Sequence, residues 1–140
     1  MKIRRVISTL TLFAVALSFA PQFVCTSSAQ TGAYSAKLIS PALGQVLRPG
    51  QTFRVAWKSR LPNVDFGACE VEVWLSLNGG RTFTAVISPA MNPQDPKYFD
   101  WTVPNWPTQA AVLDIHFGCE PGYPESYAPQ PASTFVIARQ

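Results

Sequence analysis

Near the middle of the chain, residues 76–83 read Ser-Leu-Asn-Gly-Gly-Arg-Thr-Phe. Asn and Gly at the centre of this stretch favour the positive φ angles of a tight turn. The sequence on both sides alternates between apolar and polar residues, which is the pattern of β-strands. The stretch therefore predicts a β-hairpin, and no nucleophile, metal-ligand cluster or phosphate-binding loop surrounds it in the sequence.

The same short alternation recurs along the chain, whereas no segment keeps a helical period and frequent prolines disfavour long helices. This pattern predicts an all-β fold of about seven antiparallel strands. Their number and spacing are typical of an immunoglobulin-like or fibronectin-III-like sandwich of two sheets. The predicted strands are Ala36–Ser40, Thr52–Lys58, Cys69–Leu77, Thr82–Ile87, Tyr98–Val103, Ala111–Cys119 and Thr134–Arg139.

The N-terminus predicts export. Basic residues precede an almost unbroken apolar run from Val6 to Ala20, and small residues follow at Ser27-Ser28-Ala29. These three features occur in the order of a secretory signal peptide. We therefore expect residues 1–29 to be a signal peptide and residues 30–140 to form a single domain that is periplasmic, on the cell surface or extracellular.

Two alternatives for the N-terminus stay open. An uncut membrane anchor is disfavoured because the apolar run is shorter than the roughly 18 to 20 residues that a spanning helix needs. A lipid-modified Cys25 is disfavoured because bulky Phe23 and Val24 precede it, where lipoprotein signals have small residues. Membrane contact is thus expected only through the signal peptide before cleavage.

Removal of the signal peptide changes the charge of the protein. The whole chain has 11 Lys and Arg against 8 Asp and Glu, a net charge of +3. Three of the basic residues lie among the first five residues, so eight of each sign remain in the mature chain. A nearly neutral domain gives no indication of a nucleic-acid partner or of an anionic membrane surface.

Two cysteines, Cys69 and Cys119, remain after cleavage. In a short exported domain they predict one disulfide. Both have the inward parity of their predicted strands, and they meet if those strands are antiparallel neighbours. A zinc site would need more ligands than the single His116 can add, so we expect no metal or cofactor.

The hairpin follows the S-x-D-x-G-x-T-W pattern of an Asp-box turn at Ser76, Asn78, Gly80, Thr82 and Phe83, with Asn for Asp and Phe for Trp. In such a turn the polar residue caps the backbone and the aromatic residue lies beneath the hairpin. Sialidases carry several Asp-box turns away from their catalytic site. One copy therefore predicts a structural turn and not sialidase activity.

The order of motifs resembles a known family. A Pro-led start at Ile39-Ser40-Pro41 is followed by a strand from Gly50 to Trp57, the glycine hairpin and Trp101-Thr102-Val103-Pro104. This order resembles the secreted immunoglobulin-like domains related to the Ser/Thr-rich GPI-anchored cell-wall family, over about residues 36–118. The resemblance implies a sandwich fold and, from the yeast members, a link to cell-wall β-glucan. The two cysteines depart from the family pattern.

A first candidate binding surface follows from the predicted disulfide. If the cysteines face each other, the antiparallel register places Glu72 opposite His116 and Trp74 opposite Asp114 on the outer face. Trp74 would then stack on a sugar ring, and the carboxylates would accept hydrogen bonds from its hydroxyls. The alternative interpretation is an ordinary cross-strand charge pair beside a partly covered Trp74.

Catalysis is not expected at these residues. Glu72 and Asp114 could form an acid–base pair for glycoside hydrolysis, but a flat outer sheet offers no cleft that excludes water. No serine lies in the context of a nucleophile elbow that could use His116.

A second candidate is the segment Glu120–Ala132, which joins the last two predicted strands. It contains four prolines, while Tyr123 and Tyr127 offer rigid aromatic contacts. The segment is either a recognition loop or a proline-stiffened cover over one end of the sandwich.

Together these observations predict an exported, non-enzymatic binding or adhesion module of the cell envelope. By resemblance its ligand is a polysaccharide. The alternative is a structural or accessory protein that binds an envelope partner protein through an exposed strand edge.

Overall fold

Nine β-strands and two short 3₁₀ helices form the part of the chain that the computed structural model describes, residues 33–95 and 97–140. The predicted signal peptide, its cleavage site and Cys25 lie outside the described residues. Within them, no helix is long and apolar enough to cross a membrane.

The strands follow the predicted order, with two additions. In chain order they are β1 (Ser35–Ser40), β2 (Val46–Leu47), β3 (Thr52–Arg60), β4 (Cys69–Ser76), β5 (Ala85–Val86), β6 (Tyr98–Thr102), β7 (Thr108–Cys119), β8 (Tyr123–Ser126) and β9 (Phe135–Ile137). The 3₁₀ helices span Phe66–Ala68 and Pro131–Ser133. Strands β2 and β8 were not predicted, and β5 is shorter than expected because the start of its predicted range belongs to the hairpin turn.

The strands form two sheets, which confirms the predicted all-β sandwich. One sheet has the order β1-β3-β6, and the other has the order β2-β9-β7-β4-β5, with β8 also paired to β7. With the additional strands β2 and β8 set aside, the first, second and fifth strands (β1, β3 and β6) form one sheet and the third, sixth and seventh (β4, β7 and β9) lie in the other, as in an immunoglobulin-like sandwich, while the fourth, β5, pairs with β4. The short β2 pairs with β9 in parallel, whereas the other strand pairs are antiparallel.

The core lies between the two sheets, and alternate residues of each strand point into it, as the period-two sequence pattern predicts. Val55 and Trp57 of β3 are buried in one apolar cluster with side chains from β4 and β7. Burial of a side chain of this kind stabilises the fold by about 1.5 to 3 kcal/mol. The fully buried apolar side chains on the inward face of β4 and β7 are Val71, Val73, Leu75, Ala111, Leu113, Ile115 and Phe117.

Cys69 and Cys119 form a disulfide, as predicted. They lie directly opposite each other at the end of the β4–β7 ladder, with their Cα atoms 3.9 Å apart. The bond joins residues separated by 50 positions in the sequence. It therefore lies within one sheet and holds the register of the two strands that carry the first candidate surface.

The Asp-box-like hairpin is a structural turn. The Oδ1 atom of Asn78 accepts hydrogen bonds from the backbone N–H groups of Arg81 and Thr82, at 3.1 and 3.0 Å. The Ser76 hydroxyl accepts from the backbone N–H of Gly80 at 2.9 Å. The two central glycines have φ angles of 76° and 84°, which side chains with a Cβ rarely adopt.

The segment Glu120–Ala132 contains an edge strand, which the sequence did not predict. It turns at Pro121-Gly122 and runs back along β7 as β8. Proline is tolerated within β8 because this strand lies at the edge of the sheet. The N–H that proline lacks is not needed there for a hydrogen bond to a neighbouring strand. The segment then continues beside β7, on the side away from β4, since Pro129 bridges to Asp114 and backbone hydrogen bonds join Ile115 to Ala128 and Gln130 to Leu113. This return determines the shape of the candidate site.

Candidate functional site

The ladder between β4 and β7 places the first candidate residues next to one another. Glu72 pairs with His116, and Trp74 pairs with Asp114, in the register predicted from the cysteines. The Nε1 atom of Trp74 donates a hydrogen bond to Glu72 Oε2 at 3.2 Å. The Trp74 ring also meets the His116 ring edge to face, with centroids 6.0 Å apart.

Tyr127 covers the other side of His116. The two rings stack with centroids 4.6 Å apart and an angle of 9° between their planes. The Tyr127 hydroxyl donates a hydrogen bond to Glu125 Oε2 at 2.9 Å, and this bond raises the pKa of Tyr127. His116 Nε2 lies 3.7 Å from the same carboxylate oxygen. Tyr127 is thus held in place on one face, while 64% of the residue remains exposed.

Asp114 is buried, contrary to the expectation of an exposed outer position. Only 3% of the residue is accessible; Trp74 of β4 pairs with it on one side, and Pro129 of the returning segment pairs with it on the other. The backbone N–H of Ala128 donates a hydrogen bond to Asp114 Oδ1 at 2.7 Å. Burial raises the pKa of Asp114, and the bond from Ala128 and the proximity of His116 only partly oppose this rise. Asp114 therefore anchors the segment and is scarcely reachable by a ligand.

Tyr123 and Tyr127 lie on different sides of the sheet. Tyr123 packs edge to face against Phe117 in the core, with centroids 5.2 Å apart, and its hydroxyl accepts a hydrogen bond from the backbone N–H of Tyr34 at 3.3 Å. The cause is a β-bulge in β8. Cys119 pairs with Tyr123 and Phe117 pairs with Ser126, so an advance of two residues along β7 corresponds to an advance of three residues along β8. One extra residue reverses the parity, and Tyr127 consequently faces outward.

The outer face of β4 and β7 is a depression and not the flat surface that we expected. Its volume is about 360 Å³. The returning segment forms one wall, and Phe83 from the hairpin turn forms another. We call this feature the outer-face depression. It is lined by Glu70, Glu72, Trp74, Phe83, Asp114, His116, Glu125 and Tyr127.

Sequence reasoning missed three of these lining residues. Glu70 has the same parity as Glu72 and could have been included on that ground. Phe83 was expected beneath the hairpin; a Cβ placed on Gly80 would lie 3.8 Å from the Phe83 ring, which shows that the ring does lie there. Glu125 carried no signal in the sequence, because its position depends on the return of β8.

Other depressions offer less chemistry. One of about 470 Å³ lies at the disulfide end of the sandwich. Its wall consists of small residues, the two cysteines and the carboxylates of Glu70, Glu120 and Glu125, with no aromatic side chain. Among the residues that the structure describes, no group of three or more His, Cys, Asp or Glu is arranged to hold a metal ion.

Comparisons of the chain with protein-family models, with curated proteins and with solved structures find no match. The resemblance to the Ser/Thr-rich GPI-anchored cell-wall family therefore stays a prediction. The outer-face depression is the candidate site on the strength of its own geometry.

Proposed function

We propose that this protein is an exported, non-enzymatic binding module that recognises a cell-envelope polysaccharide at the outer-face depression. One observation carries the proposal: an exposed aromatic ring, Tyr127, is held rigidly on His116 beside several carboxylates. Sites for small ligands are concave and combine apolar or aromatic walls with a few convergent polar groups.

The fixed position of Tyr127 favours ligand stacking. Its ring is held by His116 on one face and by Glu125 at the hydroxyl, so a ligand that stacks on the open face orders little that was mobile before. Tyrosine offers a large, rigid contact area with few rotatable bonds. The apolar face of a sugar ring is a suitable partner for such a surface.

The carboxylates suit a ligand rich in hydrogen-bond donors. Glu70 and Glu125 are exposed at the rim, and ionised carboxylates act only as acceptors. Sugar hydroxyls can donate to them. Asp114 is buried and bonded to Ala128, which leaves it poorly placed to act with Glu72 as an acid–base pair. This arrangement supports binding without catalysis.

Export is supported by the disulfide. Structural disulfides form and persist in oxidising compartments and are rare in the cytosol. The Cys69–Cys119 bond is therefore compatible with a location outside the cytoplasm.

The alternative function is binding of a partner protein that adds a strand to an exposed sheet edge. The free edge of β1 is poorly suited to this role. The side chain of Gln130 occupies that edge by accepting from the N–H of Leu38 and donating to the C=O of Ala36, both at 3.0 Å. An incoming strand would have to displace these bonds.

A depletion assay with the exported form of the protein tests the proposal. Insoluble glucan, chitin and peptidoglycan are each incubated with the wild type, with Tyr127→Ala and with Tyr98→Ala. Tyr98 is an exposed tyrosine on the outer face of the opposite sheet and serves as the matched control. We expect retention on one polymer, a loss of at least about tenfold in affinity for Tyr127→Ala, and wild-type binding for Tyr98→Ala.

Unfolding temperatures of both variants are measured in parallel, so that lost binding is not confused with lost structure. Retention on none of the polymers would contradict the proposed function. Equal retention of wild type and Tyr127→Ala would show that the outer-face depression is not the site.

A further inference from the structure

We infer that the polysaccharide recognised at the outer-face depression carries protonated amino groups, as a polymer of amino sugars does. This inference rests on the proposed function and specifies its ligand. It follows from the charge of the depression, from its aromatic walls and from one buried nitrogen atom.

The charged groups at the outer-face depression share one sign. In the described part of the chain, no Lys or Arg lines it, although the chain after residue 29 has equal numbers of basic and acidic residues. Exposed basic residues lie instead on the outer face of the β1-β3-β6 sheet, where Asp100 is paired with Arg54 and Lys37, Lys58 and Arg60 add further positive charge. The carboxylates of the depression are those of Glu70, Glu72, Asp114 and Glu125.

The aromatic walls favour a cation over a neutral ligand. The faces of Trp74, Phe83 and Tyr127 carry the negative part of the ring quadrupole, which attracts an ammonium group placed over them. Aromatic faces and carboxylates around one concavity therefore act in the same direction. An anionic polymer would be repelled by the same groups, which adds discrimination between polymers.

His116 brings a buried polar atom to the same depression. Its Nε2 atom has no solvent-accessible surface and no hydrogen-bond partner among the described residues, and Glu125 Oε2 lies 3.7 Å away. Buried polar atoms without a partner are rare in folded proteins. The Nε2 atom therefore lies beside Glu125 as a polar group for which the described residues supply no hydrogen-bond partner. A neutral sugar would leave the surrounding carboxylates without a counter-charge.

The test compares two polymers with the same backbone, chitin and chitosan, which differ in whether the amino group is acetylated or free. A neutral glucan and polylysine are included as further arms. We expect the exported protein to bind chitosan at least about tenfold more tightly than chitin, and this preference to weaken as salt is added.

The matched variants change the same number of charges in two places. Glu70→Gln/Glu125→Gln neutralises the exposed rim of the outer-face depression, and the side-chain amide that replaces the Glu125 carboxylate can still accept the hydrogen bond from Tyr127. Asp95→Asn/Glu120→Gln removes two carboxylates that do not line the depression. We expect the rim variant to lose about tenfold in affinity for chitosan and the control variant to bind as the wild type does.

The outcomes separate the two proposals. Equal binding to chitin and chitosan, unchanged by the rim variant, would overturn the inference of a cationic ligand and leave polysaccharide binding intact. Binding to polylysine but to no polysaccharide would overturn both the proposed function and the amino-sugar ligand, and would indicate a basic peptide instead. Equal losses in the rim and control variants would show that net charge alone drives the binding and would overturn the inference. Binding to none of the four would overturn the inference of a cationic ligand, and the peptidoglycan arm of the depletion assay would then decide the proposed function.

Discussion

At the scale of single residues, Asp114 shows how a distant chain segment changes the role of a side chain. Its parity within β7 places it on the outer face, where a carboxylate is ordinarily solvated. In the structure it is buried: Pro129 pairs beside it in the sheet, and the backbone N–H of Ala128 supplies one donor to its carboxylate. A carboxylate that loses water and gains a single strong hydrogen bond is less stable when ionised than it is in the unfolded chain, which is why its pKa rises.

Replacement of Asp114 by asparagine tests this effect. Because the pKa of Asp114 is higher in the folded protein than in the unfolded chain, ionisation of this carboxyl destabilises the fold. The loss of folding stability is absent when the pH is below the unfolded-state pKa of about 3.8 and complete when the pH is above the raised folded-state pKa. The amide of Asp114→Asn can still accept from Ala128 but carries no charge. We therefore expect this variant to gain stability relative to the wild type as the pH rises from about 3 to about 7. Urea unfolding at a series of pH values measures the difference.

Asp100→Asn provides a control of opposite sign. Two hydrogen bonds from Arg54, at 2.8 and 2.9 Å, lower the pKa of Asp100. The ionised Asp100 therefore stabilises the fold at pH values above its unfolded-state pKa, and this stabilisation is lost as the pH falls. The folding stability of the wild type should consequently rise relative to that of Asp100→Asn as the pH rises. A stability difference for Asp114→Asn that stays constant with pH would show that the buried carboxylate is not disfavoured.

At the scale of elements, one side chain links the two sheets. Gln130 bonds through its amide to the backbone of β1, as described above, and its Nε2 also donates to the C=O of Ala128. Its own backbone N–H donates to the C=O of Leu113 in β7, at 2.8 Å. The side-chain amide of Gln130 thus bonds to backbone groups on the edge of β1 that no strand pairs with, and it connects β1 to the opposite sheet.

We expect Gln130→Leu to destabilise the protein by about 1 to 3 kcal/mol, because a leucine of similar size leaves partly buried backbone groups of β1 without partners. Gln45→Leu is the control, since the Gln45 side chain only accepts from the N–H of Ala42 in an exposed turn, where water can replace it. Its effect should stay within about 0.5 kcal/mol. Denaturant unfolding of both variants distinguishes them, and equal losses would show that Gln130 does not link the sheets.

At the scale of the whole molecule, the disulfide joins the ends of the two strands that carry the site. It restricts the unfolded chain by closing a loop of 50 residues, and in the folded state it lies at the end of a ladder that already pairs eight positions. The bond thus contributes chiefly to stability, while the ladder itself keeps Glu72 opposite His116 and Trp74 opposite Asp114.

We expect Cys69→Ala/Cys119→Ala to lose roughly 4 kcal/mol of unfolding free energy, the chain-entropy value for a loop of this length. This is a large share of the roughly 5 to 15 kcal/mol that is typical of domains. Reduction of the wild type should lower its stability by a similar amount in urea unfolding. Two free thiols in the oxidised, denatured wild type would contradict the disulfide.

Much of this protein follows from local sequence pattern and one covalent constraint. Period-two alternation predicts most of the strands and their buried faces, because the direction of a side chain in a strand depends only on its neighbours. If the two strands are antiparallel neighbours, cysteines that meet across them set the β4–β7 register, because a disulfide needs its Cα atoms within about 7 Å of each other. From these two facts the proximity of Glu72 to His116 follows without a structure.

Only the tertiary structure decided the path of the chain after Cys119. Pairing of β8 with β7 includes a bulge of one residue, and that single residue sends Tyr123 into the core and Tyr127 onto His116. The same return buries Asp114 and makes a flat face concave. No local pattern encodes a bulge, because it arises from the fit of two strands to each other, so the shape of the candidate site depended on contacts between segments.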